Sequence, residues 1–126
     1  MARILVIDDS DSILAFTKEA LEEDGHTVQT AKSGIEANKY IFSSEKPDMI
    51  LLDIIMPLLD GEKVVKAFQQ SEISAKIPIV FFSTKDEEEI EKLVKKHNVL
   101  GYIKKPIEAS ELKKCVKKFL EPSSSL

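Results

Sequence analysis

The sequence predicts an α/β fold in which five parallel strands, in the order 2-1-3-4-5, are wound on both faces by helices into a three-layer sandwich. Short apolar runs alternate with amphipathic helical stretches five times, with no internal repeat and no long linker. Four of the five runs are almost wholly apolar, whereas Thr27-Val28-Gln29-Thr30-Ala31 is polar. A parallel sheet covered on both faces demands continuous apolar strands, so the polar second strand belongs at an edge. The 126 residues suffice for one domain and one core.

The first strand is Ile4-Leu5-Val6-Ile7, which ends abruptly in Asp8-Asp9-Ser10-Asp11. Ile13, Phe16, Ala20 and Leu21 follow at helical spacing, and Gly25 supplies the left-handed stop. After the edge strand, Ser33 and Glu36 form a capping box that opens a second helix. Its buried face is marked by Ile35, Tyr40 and Ile41, and Lys46-Pro47-Asp48 ends it. Met49-Ile50-Leu51-Leu52 is the central strand, delivering Asp53 to its carboxyl end. Pro57 stops any ladder, and Asp60-Gly61 turns the chain into a helix faced by Val64, Val65 and Phe68.

Ile79-Val80-Phe81-Phe82 is the fourth strand and runs into Ser83-Thr84. Asp86 and Glu89 offer a second capping box, before Ile90, Leu93, Val94 and His97 at helical spacing. Val99 to Ile103 forms the fifth strand and ends in Lys104-Lys105-Pro106. Leu112, Cys115, Val116, Phe119 and Leu120 line the last helix. The domain therefore spans residues 1–121, and residues 122–126 are a frayed tail.

All five strand ends point to one rim, where open α/β sheets bind ligands. The order brings Asp8, Asp9, Asp53, Ser83 and Lys105 onto neighbouring strands, spaced roughly 5 Å apart. Crowded carboxylates repel one another unless a cation sits among them. Oxygen ligands without His or Cys suit Mg²⁺ and disfavour zinc. A carboxylate, a hydroxyl and a lysine beside such an ion form a cradle for a transferred phosphoryl group. Asp53 is its nucleophile, Mg²⁺ and Lys105 neutralise the phosphoryl oxygens, and Ser83 donates a hydrogen bond. Pro106 locks the loop that aims Lys105, a position suited to a cis peptide.

With these residues in place, the chain resembles the receiver domains of two-component response regulators, close in size to the single-domain chemotaxis regulators. The resemblance covers Ala2 to Leu120. It rests on Asp8-Asp9, on Asp53-x-x-Met56-Pro57-x-x-Asp60-Gly61, on Ser83 and on Lys105-Pro106. It implies a flavodoxin-like fold and phosphotransfer to Asp53 from the phosphohistidine of a histidine kinase or histidine phosphotransfer protein. It also implies Mg²⁺ held by Asp9, Asp53 and the backbone carbonyl of Ile55, with Asp8 acting mainly through water. Tyr102 falls where the family often has an aromatic switch residue. Such a protein accepts phosphoryl by self-catalysed transfer and slowly dephosphorylates itself, without multiple turnover. Thr84 departs from the small residue common after the hydroxyl, and its branched side chain restricts access.

Two rivals differ in class. Asp9-Ser10-Asp11-Ser12 imitates the nucleophile motif of haloacid-dehalogenase-like phosphatases, with Asp9 as nucleophile. That class needs a further acidic pair after the lysine, and only Glu108 and Glu111 follow, on a helix. A non-catalytic flavodoxin-like nucleotide-binding module wants hydroxyls and amides after the first strand, where Asp8-Asp9-Ser10-Asp11 would repel phosphate.

The formal charge of −4 disfavours broad binding to nucleic acid or acidic membranes, and no apolar stretch is long enough to span a bilayer. One cysteine, Cys115, excludes an internal disulfide and fits a cytosolic address and a small core residue. His26 and His97 lack partners at metal spacing, and His97 reads as a helix C-terminal cation. Glu87-Glu88-Glu89 and Lys95-Lys96 complement the dipole of the fourth helix. Lys113, Lys114, Lys117 and Lys118 read as a solvated helix face. The signal leaves through the face made by the fourth helix, fifth strand and fifth helix. The lack of an effector domain in 126 residues points to a stand-alone or relay regulator.

Overall fold

The computed structural model describes residues 1–56 and 61–121. Strand and helix alternate as β1 (Arg3–Ile7), α1 (Asp11–Glu23), β2 (Thr27–Ala31), α2 (Gly34–Ile41), β3 (Met49–Leu52), α3 (Gly61–Gln70), β4 (Ile79–Ser83), α4 (Glu87–His97), β5 (Gly101–Lys104) and α5 (Ala109–Leu120). The strands form one parallel sheet in the order β2-β1-β3-β4-β5, as the sequence predicts.

Side-chain alternation along the strands divides the core in two. Leu5, Ile7, Ile50, Leu52 and Phe81 pack with Ile41 of α2, Val64, Val65 and Phe68 of α3, and Ile90 of α4. Ile4, Val6, Leu51, Val80, Phe82 and Ile103 pack with Leu14 and Leu21 of α1 and Leu112 and Val116 of α5. Both faces of β3 are fully buried, which is why its sequence is apolar without alternation. Each such side chain contributes about 1.5–3 kcal/mol relative to exposure. The central strands are thus a stiff base for whatever their ends carry.

Several local expectations need correction. Ile35 is 77% exposed, because α2 begins at Gly34 and turns Ala37 and Ile41 inward instead. This helix ends at Ile41, with Phe42 as cap, well before Lys46. Asp86 precedes α4 but its side chain makes no capping bond; the Ser83 hydroxyl organises that turn by accepting the Lys85 N–H at 3.2 Å. β5 starts at Gly101 rather than Val99, because Asn98 adopts a left-handed conformation (φ 54°) and the Val99 N–H closes onto the Val94 carbonyl. His97 is not a lone helix-end cation: its buried ring lies 2.9 Å from Glu62 of α3. Gly25 has φ 90°, as the stop after α1 requires.

Candidate functional site

Asp53 is the first residue beyond β3, and its N–H donates to the Ile7 carbonyl at 3.0 Å, so the ladder with β1 holds its backbone. Its carboxylate is buried, and Oδ1 accepts the Ile55 N–H at 3.1 Å. Asp8 leaves β1 in the same way, anchored by its N–H to the Ala31 carbonyl of β2 at 3.0 Å. Asp8 is buried and accepts the Ser10 N–H, while Asp9 beside it is exposed. Ser10 caps α1 by accepting the Ile13 N–H, which fixes how the acidic loop enters that helix.

Lys105 reaches the acids from the far side of β4. Its N–H donates to the Ser83 carbonyl at 2.8 Å, and the Lys105–Pro106 peptide is cis. Its Nζ lies 2.5 Å from Asp8 Oδ2 and 3.6 Å from Asp53 Oδ2, and 5.0 Å from the centre of the Phe82 ring. The ammonium therefore sits between two buried carboxylates, closer to Asp8. Ser83, at the end of β4, is fully buried. Burial pushes the Asp53 carboxyl above its ordinary range, and the Asp8 charge adds to this; Lys105, the Ile55 N–H and the Ser83 hydroxyl oppose it.

One carboxylate oxygen each from Asp8, Asp9 and Asp53 lies within 4.8 Å of the others. The donor set is oxygen alone, as a hard divalent cation requires. Ile55 is about half exposed at the rim. Gly61 packs so tightly under this loop that a Cβ there would stand 2.6 Å from the Asp53 carbonyl oxygen and from the Ile54 Cα. Its N–H also donates to the Ile54 carbonyl, tying α3 to the strand end. Pro57 and Asp60 lie outside the described residues. Pro106 and Thr84 are exposed, so the Thr84 side chain stands on the outer rim. Tyr102 is half-buried on β5 and its hydroxyl donates to Glu91 of α4 at 3.1 Å.

Sequence reasoning missed Lys104, whose Nζ binds the Thr84 carbonyl at 2.7 Å and the Lys105 carbonyl at 3.2 Å. In the Lys-Lys-Pro run Lys105 alone reads as the site lysine, although strand alternation sends the two lysines to opposite faces. The Glu62–His97 pair had no sequence signal, since 35 residues separate its members. Among the lysines of α5, Lys113 pairs with Glu23 and Lys114 with Glu111 at the surface.

Acids, a hydroxyl and a lysine gathered at the carboxyl rim of a 2-1-3-4-5 sheet define the receiver modules of two-component signalling. The chain belongs to the response regulator receiver domain family, which matches residues 4–117. It is 38% identical over 121 residues to the alkaline phosphatase synthesis transcriptional regulatory protein PhoP of Bacillus subtilis, covering 96% of this chain and 49% of that protein. It is 33% identical over 116 residues to protein PilH of Pseudomonas aeruginosa, covering 92% and 95% respectively. The chain thus spans about half the length of the first relative and nearly all of the second. The structure of the chemotaxis protein CheY4 of Vibrio cholerae superposes with a TM-score of 0.85 at 30% identity, covering 95% of this chain and 99% of that one. No helix among the described residues is long and apolar enough to cross a membrane.

Proposed function

We propose that this chain is a phospho-accepting receiver, in which Asp53 takes a phosphoryl group from the phosphohistidine of a histidine kinase or histidine phosphotransfer protein. The observation that carries this reading is the Asp53 carboxylate itself, buried at a central strand end with Lys105 Nζ at 3.6 Å and two further acids beside it. The Asp53 oxygen attacks phosphorus and the P–N bond breaks. Its electron pair stays with the imidazole nitrogen of the donor, leaving an acyl phosphate on Asp53. Lys105, already aimed between Asp8 and Asp53, neutralises charge on the phosphoryl oxygens, and the Ser83 hydroxyl donates to one of them.

Asp9, Asp53 and the Ile55 carbonyl would hold Mg²⁺, with Asp8 acting through water. When bound, the ion supplies positive charge against the phosphoryl oxygens. The chain accepts one group per cycle and loses it slowly to water, without multiple turnover. The receiver fold occupies residues 1–121. Partners are proteins, with no direct nucleic-acid contact, and a cytoplasmic location follows from the class of donor.

A phosphoryl group adds roughly two negative charges beside Ser83 and Lys105. Drawing Ser83 toward them leaves space that Tyr102 enters by releasing Glu91, altering the α4-β5-α5 face for a downstream protein. The test is phosphoramidate, a small P–N donor, with Mg²⁺. The wild type is expected to form one hydroxylamine-labile acyl phosphate per chain and Asp53→Asn none. Continuous hydrolysis of a phosphomonoester, lost in Asp9→Asn, would favour the phosphatase reading instead.

A further inference from the structure

Lys104 stands at the last position of β5, in register with Ser83 at the end of β4. Ile103 before it enters the core beneath α1 and α5, whereas Tyr102 packs toward α4. Lys104 therefore shares the Tyr102 face of the strand. Its ammonium has three donors, and two meet backbone carbonyls: Thr84 at 2.7 Å and Lys105 at 3.2 Å. Thr84 belongs to the turn that follows Ser83, and the Lys105 carbonyl belongs to the cis peptide that follows the site lysine. One cation thus staples the two turns that carry the hydroxyl and the lysine of the site.

We propose that Lys104 is a positioning residue whose ammonium holds the β4–α4 turn in its unmodified arrangement and thereby sets the population ready to bind a phosphoryl group. This rests on the phospho-acceptor reading of Asp53. Within the turn, Ser83 Oγ accepts the Lys85 N–H at 3.2 Å, so the hydroxyl and the backbone around Thr84 move as one unit. Drawing Ser83 toward new oxygens at Asp53 displaces the Ser83–Thr84 peptide and strains the bond to Lys104. A contact made in only one of two arrangements biases the equilibrium toward that arrangement. Tyr102, two residues earlier on the same face, is tied to Glu91 of α4. The unmodified state is therefore tethered twice from one face of β5, once at the turn and once at the helix.

The variants are Lys104→Met, which keeps length and loses donors, and Lys104→Arg, which keeps both charge and donors. Two quantities are measured on the full chain. The first is amide hydrogen exchange at Lys85 and Asp86 without metal or phosphoryl analogue. The second is the affinity for beryllofluoride in the presence of Mg²⁺. Lys104→Met is expected to exchange faster at both amides and to bind the analogue about threefold to tenfold more tightly, the scale of one intramolecular hydrogen bond's net contribution. Lys104→Arg is expected to stay within about twofold of wild type. Unchanged exchange in Lys104→Met, or analogue binding equal to or weaker than wild type, would overturn the proposal. If exchange rises but neither protein takes up beryllofluoride, the staple stands and the phospho-acceptor reading of Asp53 fails.

Discussion

His97 Nε2 and Glu62 Oε1 stand 2.9 Å apart and join the last turn of α4 to the first turn of α3. The histidine ring is buried edge-on against Phe81, and Gln69 donates to its backbone carbonyl at 2.6 Å. Lys96 approaches the same glutamate oxygen at 3.2 Å. Because α3 opens at Gly61, directly under Asp53, this pair anchors the helix that supports the site loop.

The hydrogen bond from His97, aided by Lys96, holds the Glu62 carboxyl below its ordinary range. A depressed folded value means that the unfolded chain binds the proton more readily. The stabilisation is therefore present above the ordinary glutamate range and is lost as pH falls through the folded value. Glu62→Gln keeps the packing and removes the charge. It is expected to cost about 1 kcal/mol at neutral pH, and the deficit should shrink toward zero in acid. Urea midpoints at both pH values would check this, and a deficit independent of pH would assign the effect to something other than the carboxylate.

Asp53 has the opposite sign. Burial raises its pKa, so folding disfavours the ionised form, and the cost appears as pH rises through the folded value. In chelator, Asp53→Asn should stabilise the protein by about 1 kcal/mol at neutral pH, the common result of relieving a functional site. That advantage should fade as pH falls and wild-type Asp53 protonates. A destabilised Asp53→Asn in chelator would mean that the Lys105 and Ile55 contacts outweigh burial.

Metal should reverse this penalty. Ligand binding to the folded state alone adds RT ln(1 + [L]/Kd), about 2.7 kcal/mol at one hundred times Kd. Mg²⁺ is expected to raise the Tm of the wild type by several degrees, and Asp9→Ala should lose most of the response. A wild-type melting curve unmoved by Mg²⁺ would remove the acidic pocket as a cation site.

The fold was legible because period and composition agreed at every strand. Four apolar runs and one polar run leave β2 at an edge, and the rim residues follow from strand order alone. Asp8, Asp9, Asp53, Ser83 and Lys105 were legible for the same reason: each ends or closely follows a strand. What escaped depends on contacts between distant segments. Ile35 looked buried by its spacing, but α2 turns Ala37 and Ile41 toward the sheet and leaves Ile35 on its outer side. Asn98 took the left-handed cap that Gly usually supplies, which moved the start of β5. Lys104 and Glu62 act through partners set by packing, a backbone carbonyl and a buried imidazole, which no local pattern encodes.

Which oxygen takes the phosphoryl group separates a receiver from a phosphatase. The most direct measurement is peptide mapping by mass spectrometry after exposure of the full chain to acetyl phosphate and Mg²⁺. The predicted result is a single phosphoryl adduct on Asp53, absent from Asp53→Asn although that variant remains folded. An adduct on Asp9 or Asp11, or a phosphorylated Asp53→Asn chain, would contradict it.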